Sequence, residues 1–147
     1  MEDNNKKRLL EITDLETAKF EKMAELLLKK QSAISRLDTD TIQSLVSEEL
    51  AEMNEIRVLE RERSGILQAF SLKGEDLTDP ASLERMLGNE YSGKFLELHS
   101  KFRAVFTNVR RLNDMCQVLL LHSLAFIKQN IRILTPCMPV TSTPVPM

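Results

Sequence analysis

The sequence predicts an all-α protein: an antiparallel hairpin of two long helices, then a short helix, then a third long helix, packed together as a coiled-coil-like bundle. Three observations carry that reading. Strong helix formers (Leu, Glu, Lys, Met, Arg, Ala, Gln) dominate, and there are only 4 Gly. Of the 5 Pro, Pro80 alone precedes residue 135, and proline is the residue a helix interior tolerates least. Apolar residues recur at spacings of three and four along most of the chain, the period of a helix with one face buried. A chain of 147 residues can bury a useful core without disulfides or metals, so we expect a single helical domain over 1–134.

The first helix is expected from about Asn5 to Leu37, with Leu9, Ile12, Phe20, Met23, Leu27, Ile34 and Leu37 on its buried stripe. Glu16 and Lys30 fall where that stripe should continue, which predicts weaker packing toward its N-terminal end. Asp38-Thr39-Asp40-Thr41 supplies short oxygen-bearing side chains that can cap a new helix, with Asp40 and Gln43 at the spacing of a capping box. A connection this short makes the second helix an antiparallel neighbour, although no Gly or Pro enforces a turn and a single continuous helix stays open.

The second helix, about Asp40 to Phe70, carries Ile42, Val46, Met53, Ile56, Leu67 and Phe70 on one stripe, broadened by Leu45, Leu50, Leu59 and Ile66. Glu60 and Arg63, three residues apart on one helix face, read as a salt bridge rather than as acid-base machinery. Residues 71–80 form a polar loop holding Gly74. Asp79-Pro80 then supplies an N-cap followed by proline at the first helical position, and a short helix from Pro80 to Leu87 should stop at Gly88.

The third helix, about Asn89 to Leu134, has the clearest pattern in the chain. Tyr91, Phe95, Leu98, Phe102, Val105, Val109, Leu112, Cys116 and Leu119 alternate spacings of four and three, a heptad seam. Beyond Leu119 the register slips by one, to Leu120, Leu124, Ile127, Ile131 and Leu134, and Leu121, Phe126 and Ile133 add apolar surface outside the stripe. Roughly 45 residues at 1.5 Å each make a helix of about 70 Å. Two partners of about 30 residues cannot cover it, and an uncovered apolar patch on a soluble protein marks a binding or self-association surface. The tail, 135–147, holds four prolines among Thr and Ser and is expected to be disordered, with Pro136 and Pro139 only a weak match to a proline-recognition peptide.

Composition excludes several functions. Lys and Arg total 20 against 22 Asp and Glu, a net charge of −2, so there is no basic face for nucleic acid. Two cysteines, Cys116 and Cys137, are too few for a disulfide framework and have no histidine or cysteine at metal-ligand spacing, so neither metal nor cofactor is expected. The first thirty residues lack a signal-type apolar core. The most apolar run, Val118 to Ile127, is about half of what a membrane span needs, so a cytoplasmic chain with no transmembrane segment is expected. His99 and His122 lack the following Lys and Gly of phosphotransfer histidines. With no phosphate-cradling glycine loop and no nucleophile motif, the protein is not expected to be an enzyme.

Two stretches then carry a family resemblance. One is Leu59-Glu60-Arg61-Glu62-Arg63-Ser64-Gly65-Ile66-Leu67. The other runs from Leu112-Asn113 through Leu119-Leu120 to Ser123-Leu124-Ala125-Phe126-Ile127. With the order of helices over Leu9 to Leu134, they resemble the FlgN-type flagellar export chaperones, which serve the hook-filament junction proteins. The sequence departs from that family at Cys116, where an Asn is often found, and in lacking a lysine early in the second helix.

The resemblance implies a cytoplasmic chaperone of flagellar (type III) export. Such a protein binds terminal helical segments of hook-filament junction proteins, prevents their premature assembly and delivers them to the export apparatus, and would be a monomer or weak homodimer when free. Helix-in-groove recognition would use Leu120, Leu124, Ile127 and Ile131, with Phe126 as an aromatic anchor. Alternatives are a chaperone for the filament cap protein of the same system and a homo-oligomeric coiled-coil scaffold built on the Tyr91 to Leu119 heptads.

Overall fold

The computed structural model describes the backbone of residues 2–71 and 80–134, and side chains within 3–70 and 81–130. The loop and tail expected at 72–79 and 135–147, and the Ile131 side chain, lie outside the described residues. Among the described residues there are three helices, α1 (Glu2–Ser35), α2 (Thr39–Ser71) and α3 (Pro80–Leu134), and no strand.

The hairpin between α1 and α2 is made without glycine. Leu37 adopts a left-handed conformation, φ 56°. The Asp38 N–H donates to the Ala33 carbonyl at 2.9 Å and the Leu37 N–H to the Ile34 carbonyl at 3.0 Å, the paired bonds of a Schellman turn. The cap of α2 is Asp38 rather than the Asp40 that the sequence suggests. Its carboxylate accepts from the Thr41 backbone N–H at 3.2 Å and from the Thr41 hydroxyl at 2.7 Å, so a single side chain both ends the turn and starts the helix. Asp40 instead lies in the first turn of α2, where a negative charge suits the helix dipole.

Gly88 breaks α3 as expected, at φ 76° and ψ 176°. A Cβ there would meet no other atom, so glycine is required by the backbone angle and not by space. The segment before the break folds over the N-terminal half of α1. Leu9 of α1 is buried with Leu83, Leu87, Tyr91 and Phe95, and Ile66 and Leu67 of α2 close the cluster. This corrects the expectation of weak packing at the start of α1, which begins at Glu2 and keeps Leu9 and Ile12 fully buried.

A second cluster fills the middle: Phe20, Met23, Leu27 and Ile34 of α1 against Ile56 of α2 and Val109, Leu112 and Cys116 of α3. Phe20 meets Phe102 and Phe106 edge-on, with ring centroids 5.6 and 5.4 Å apart, the arrangement aromatic quadrupoles favour. Leu9 pairs with the start of α3 and Leu27 with its middle, so α3 runs parallel to α1 and α2 antiparallel. The heptad seam is therefore spent inside the chain, every member from Tyr91 to Leu119 being buried or half-buried.

α1 is the shared partner. It packs along both other helices, whereas no Cα of α2 comes within 8 Å of a Cα of α3 among the described residues. Residues out of register with the stripe are reconciled by pairing: the Lys30 ammonium lies 3.2 Å from Glu49 of α2, and the buried Thr13 and Thr17 hydroxyls donate to carbonyls four residues back at 3.0 and 2.8 Å.

Candidate partner-binding surface

Each residue of α3 turns the helix by about 100°, so Leu120, Leu124, Ile127 and Ile131 extend the face that Val109, Leu112 and Cys116 turn toward α1. That neighbour ends at Ser35, which sits in a shallow hollow with Leu37, Leu119, His122, Ser123 and Phe126. Beyond the Phe126 contact with the hairpin turn, α3 continues for about 12 Å with no neighbouring helix among the described residues. The inward face continues past the end of α1, with no other described helix opposite it. Leu124 is accordingly 54% exposed and Ile127 41%, while Leu120 is half-buried on the central cluster and forms the edge of the core.

Phe126 is 56% exposed at the rim of the hollow beside the hairpin turn. The structure adds residues that the sequence-derived set omits. Met115, Val118 and Leu119 line a neighbouring hollow of about 420 Å³ with Gln31 of α1, and Leu121 stands well out of the surface. Leu119 is the last member of the heptad seam and Leu121 lies in the apolar surface outside the stripe, whereas Met115 and Val118 form a second apolar row beside the seam that a single period does not single out. Leu121, Leu124, Phe126 and Ile127 are already about half-buried, so covering the rest against a partner would contribute roughly 3–6 kcal/mol gross, about half of the 1.5–3 kcal/mol per fully buried side chain. Association costs of about 4–15 kcal/mol offset most or all of it, so this surface alone suits at most weak, reversible binding.

The departure at Cys116 falls in the core. The thiol is buried, donates to the Leu27 carbonyl at 3.5 Å, and has its pKa raised chiefly by burial. That environment suits packing rather than nucleophilic chemistry.

The titratable groups that do cluster lie far from the apolar end. Glu16 of α1 is buried, and its carboxyl is pushed up to about 8, first by burial and then by Glu60 of α2, with Arg63 pulling the other way. Arg63 lies 3.5 Å from Glu60, the expected salt bridge. His99 stacks on Phe95 at 5.4 Å, and its pKa is lowered by burial, then by Arg103 and Arg63. Burial and the neighbouring Glu60 carboxylate favour the protonated form of Glu16, whose buried Oε1 has no hydrogen-bond partner, and the neutral form of His99 is favoured beside it, so the cluster is a packed, uncharged centre rather than a reactive one. Among the described residues no group of three His, Cys, Asp or Glu is placed to hold a metal ion, and no helix is long and apolar enough to cross a membrane.

Fold and surface together define a helical protein that presents an uncovered apolar helix end. Residues 1–137 match the family described as FlgN protein, and the chain belongs to that family. Its membership makes it a chaperone of flagellar type III export. Neither the curated proteins nor the solved structures searched provide a match to the chain.

Proposed function

We propose that the protein is a cytoplasmic chaperone for hook-filament junction proteins. It captures a terminal amphipathic helix of each, keeps that helix from polymerising, and brings the substrate to the export apparatus. The observation that carries this reading is the run Leu124 to Ile127, exposed because α1 stops at Ser35 while the inward apolar face of α3 continues. A substrate helix laid on Leu120, Leu124, Phe126, Ile127 and Ile131 takes the place that α1 vacates. The family assignment and the apolar helix end support the same role, and neither requires nucleotide chemistry from the chaperone.

The scaffold alternative loses its main support, because the Tyr91 to Leu119 seam packs on α1 and a permanent zipper would have to displace the chain's own core. The test is to mix the purified chain with C-terminal fragments of the junction proteins and measure complex mass by size exclusion with light scattering. A stable complex with a monomeric chaperone is expected. Binding only to the filament cap protein would move the assignment to that substrate, and a tight oligomer that binds neither would return it to the scaffold.

A further inference from the structure

Because α2 and α3 each pack on α1 with no pair of their Cα atoms within 8 Å among the described residues, a groove runs between them. It encloses about 300 Å³, with Phe20, Met23 and Leu27 of α1 as its floor, Leu50 and Met53 on the α2 wall, and Val109 on the α3 wall. Helices pack with axes about 8–10 Å apart, so an open groove over a third helix is the seat of a fourth.

One charge of each sign lines it, Glu49 and Arg110, and the charges that extend its walls are arginines. Arg110 lines the groove directly, and Arg103 lies two turns earlier on the same face of α3. On α2 the row Val46, Leu50 and Met53 continues at helical spacing to Arg57 and Arg61. None of these four arginines has a carboxylate within ion-pair distance among the described residues. The two nearby acids are already engaged, Glu49 with Lys30 and Glu60 with Arg63. The buried Glu49 Oε1 has no hydrogen-bond partner, although the residue lines the groove.

We propose that this groove is a second docking site, separate from the exposed end of α3. Its occupant is one amphipathic helix of a partner protein, with an apolar stripe flanked by Asp or Glu and interrupted by a hydrogen-bond donor that reaches Glu49. Charge complementarity selects this occupant. The chain's own tail, 135–147, contains no Asp or Glu and four Pro, so it supplies neither the charge nor the helix. A second copy joined symmetrically through the groove would set arginine rim against arginine rim.

The test uses the full chain and two labelled designed peptides of about 20 residues, a length that supports a helix. Both carry the same leucine heptad stripe, flanked by Glu in one and by Lys in the other, and binding is followed by fluorescence anisotropy with circular dichroism on every variant. The Glu peptide should bind at least about tenfold tighter than the Lys peptide and weaken as salt rises. The double reversal Arg61→Glu with Arg110→Glu should lower its affinity about tenfold. Leu50→Glu, at a position 56% exposed and so harmless to the fold, should abolish binding. Leu124→Asp should leave the Glu peptide bound, whatever it does to junction-protein fragments. Absence of binding, equal binding of both peptides, indifference to the arginine reversal, or loss with Leu124→Asp would each overturn the proposal. So would a free chain that is dimeric until Leu50→Glu dissociates it.

Discussion

Glu16 occupies a stripe position where a leucine would pack without cost, and its burial is tolerable only because it keeps its proton. With the carboxyl pushed up to about 8 in the fold against an ordinary 4.5, the native state holds a proton that the unfolded chain has released throughout that interval. Stability therefore falls as pH rises through it and levels off above about 8. His99, held neutral, acts in the opposite direction below its ordinary 6.5, while the lowered carboxyls of Asp38 and Glu62 have made their full contribution above about pH 5. The interval from 6.5 to 8 therefore isolates Glu16. Urea unfolding should show a stability loss of order 1–2 kcal/mol across it. Glu16→Gln, which cannot ionise, should be flat there, and an equal slope in both proteins would remove Glu16 as the cause. The neighbouring Phe20 offers a simpler case. Truncation to alanine deletes both edge-on ring contacts from the central cluster, and Phe20→Ala should cost about 3–5 kcal/mol in the same experiment. A loss below about 1 kcal/mol would mean that the ring is not part of the core.

At the scale of elements, the α1–α2 turn shows a helix stop hidden from a search for glycine. Leu37 takes the left-handed conformation itself, at about 1–2 kcal/mol for an L-residue, because the two backbone bonds from 37 and 38 and the Asp38 cap fix the turn around it. Leu37 is 46% exposed, so its side chain contributes little burial in return. Leu37→Gly should consequently stabilise the protein by about 0.5–1 kcal/mol, the relieved strain exceeding the extra chain entropy of glycine. Thermal melting would register this as a rise of a few degrees. A fall would show that Leu37 is held by packing around the Phe126 hollow, not by the turn. Gly88 is the contrasting element, where the break in α3 and the residue that permits it coincide, so the sequence announces it.

For the whole molecule, what could be read from the chain is what a single helix records about itself. The heptad seam from Tyr91 to Leu119 and the stop at Gly88 are local patterns, and both stand in the structure. Features that depend on segments far apart could not be read. Leu9 is buried because Leu83 and Leu87 arrive over it from more than seventy residues away, and α2 and α3 diverge because each answers to α1. The candidate surface stands between these cases: the apolar row through Leu124 and Ile127 was visible, but its exposure depends on where α1 ends. If Leu124 and Ile127 are a docking surface, Leu124→Asp with Ile127→Asp should change folding stability by less than about 1 kcal/mol, as exposed substitutions do. The same change should weaken a junction-protein fragment by at least about 2 kcal/mol, near thirtyfold, because a buried carboxylate would replace each anchor. Leu112→Asp, at a position 2% exposed, should instead collapse the helical signal and serves as the core control. Circular dichroism and complex mass, measured on all three proteins, separate the outcomes. Unfolding by the double variant would assign Leu124 and Ile127 to the core, and a folded variant that still binds would move the docking surface elsewhere on the bundle.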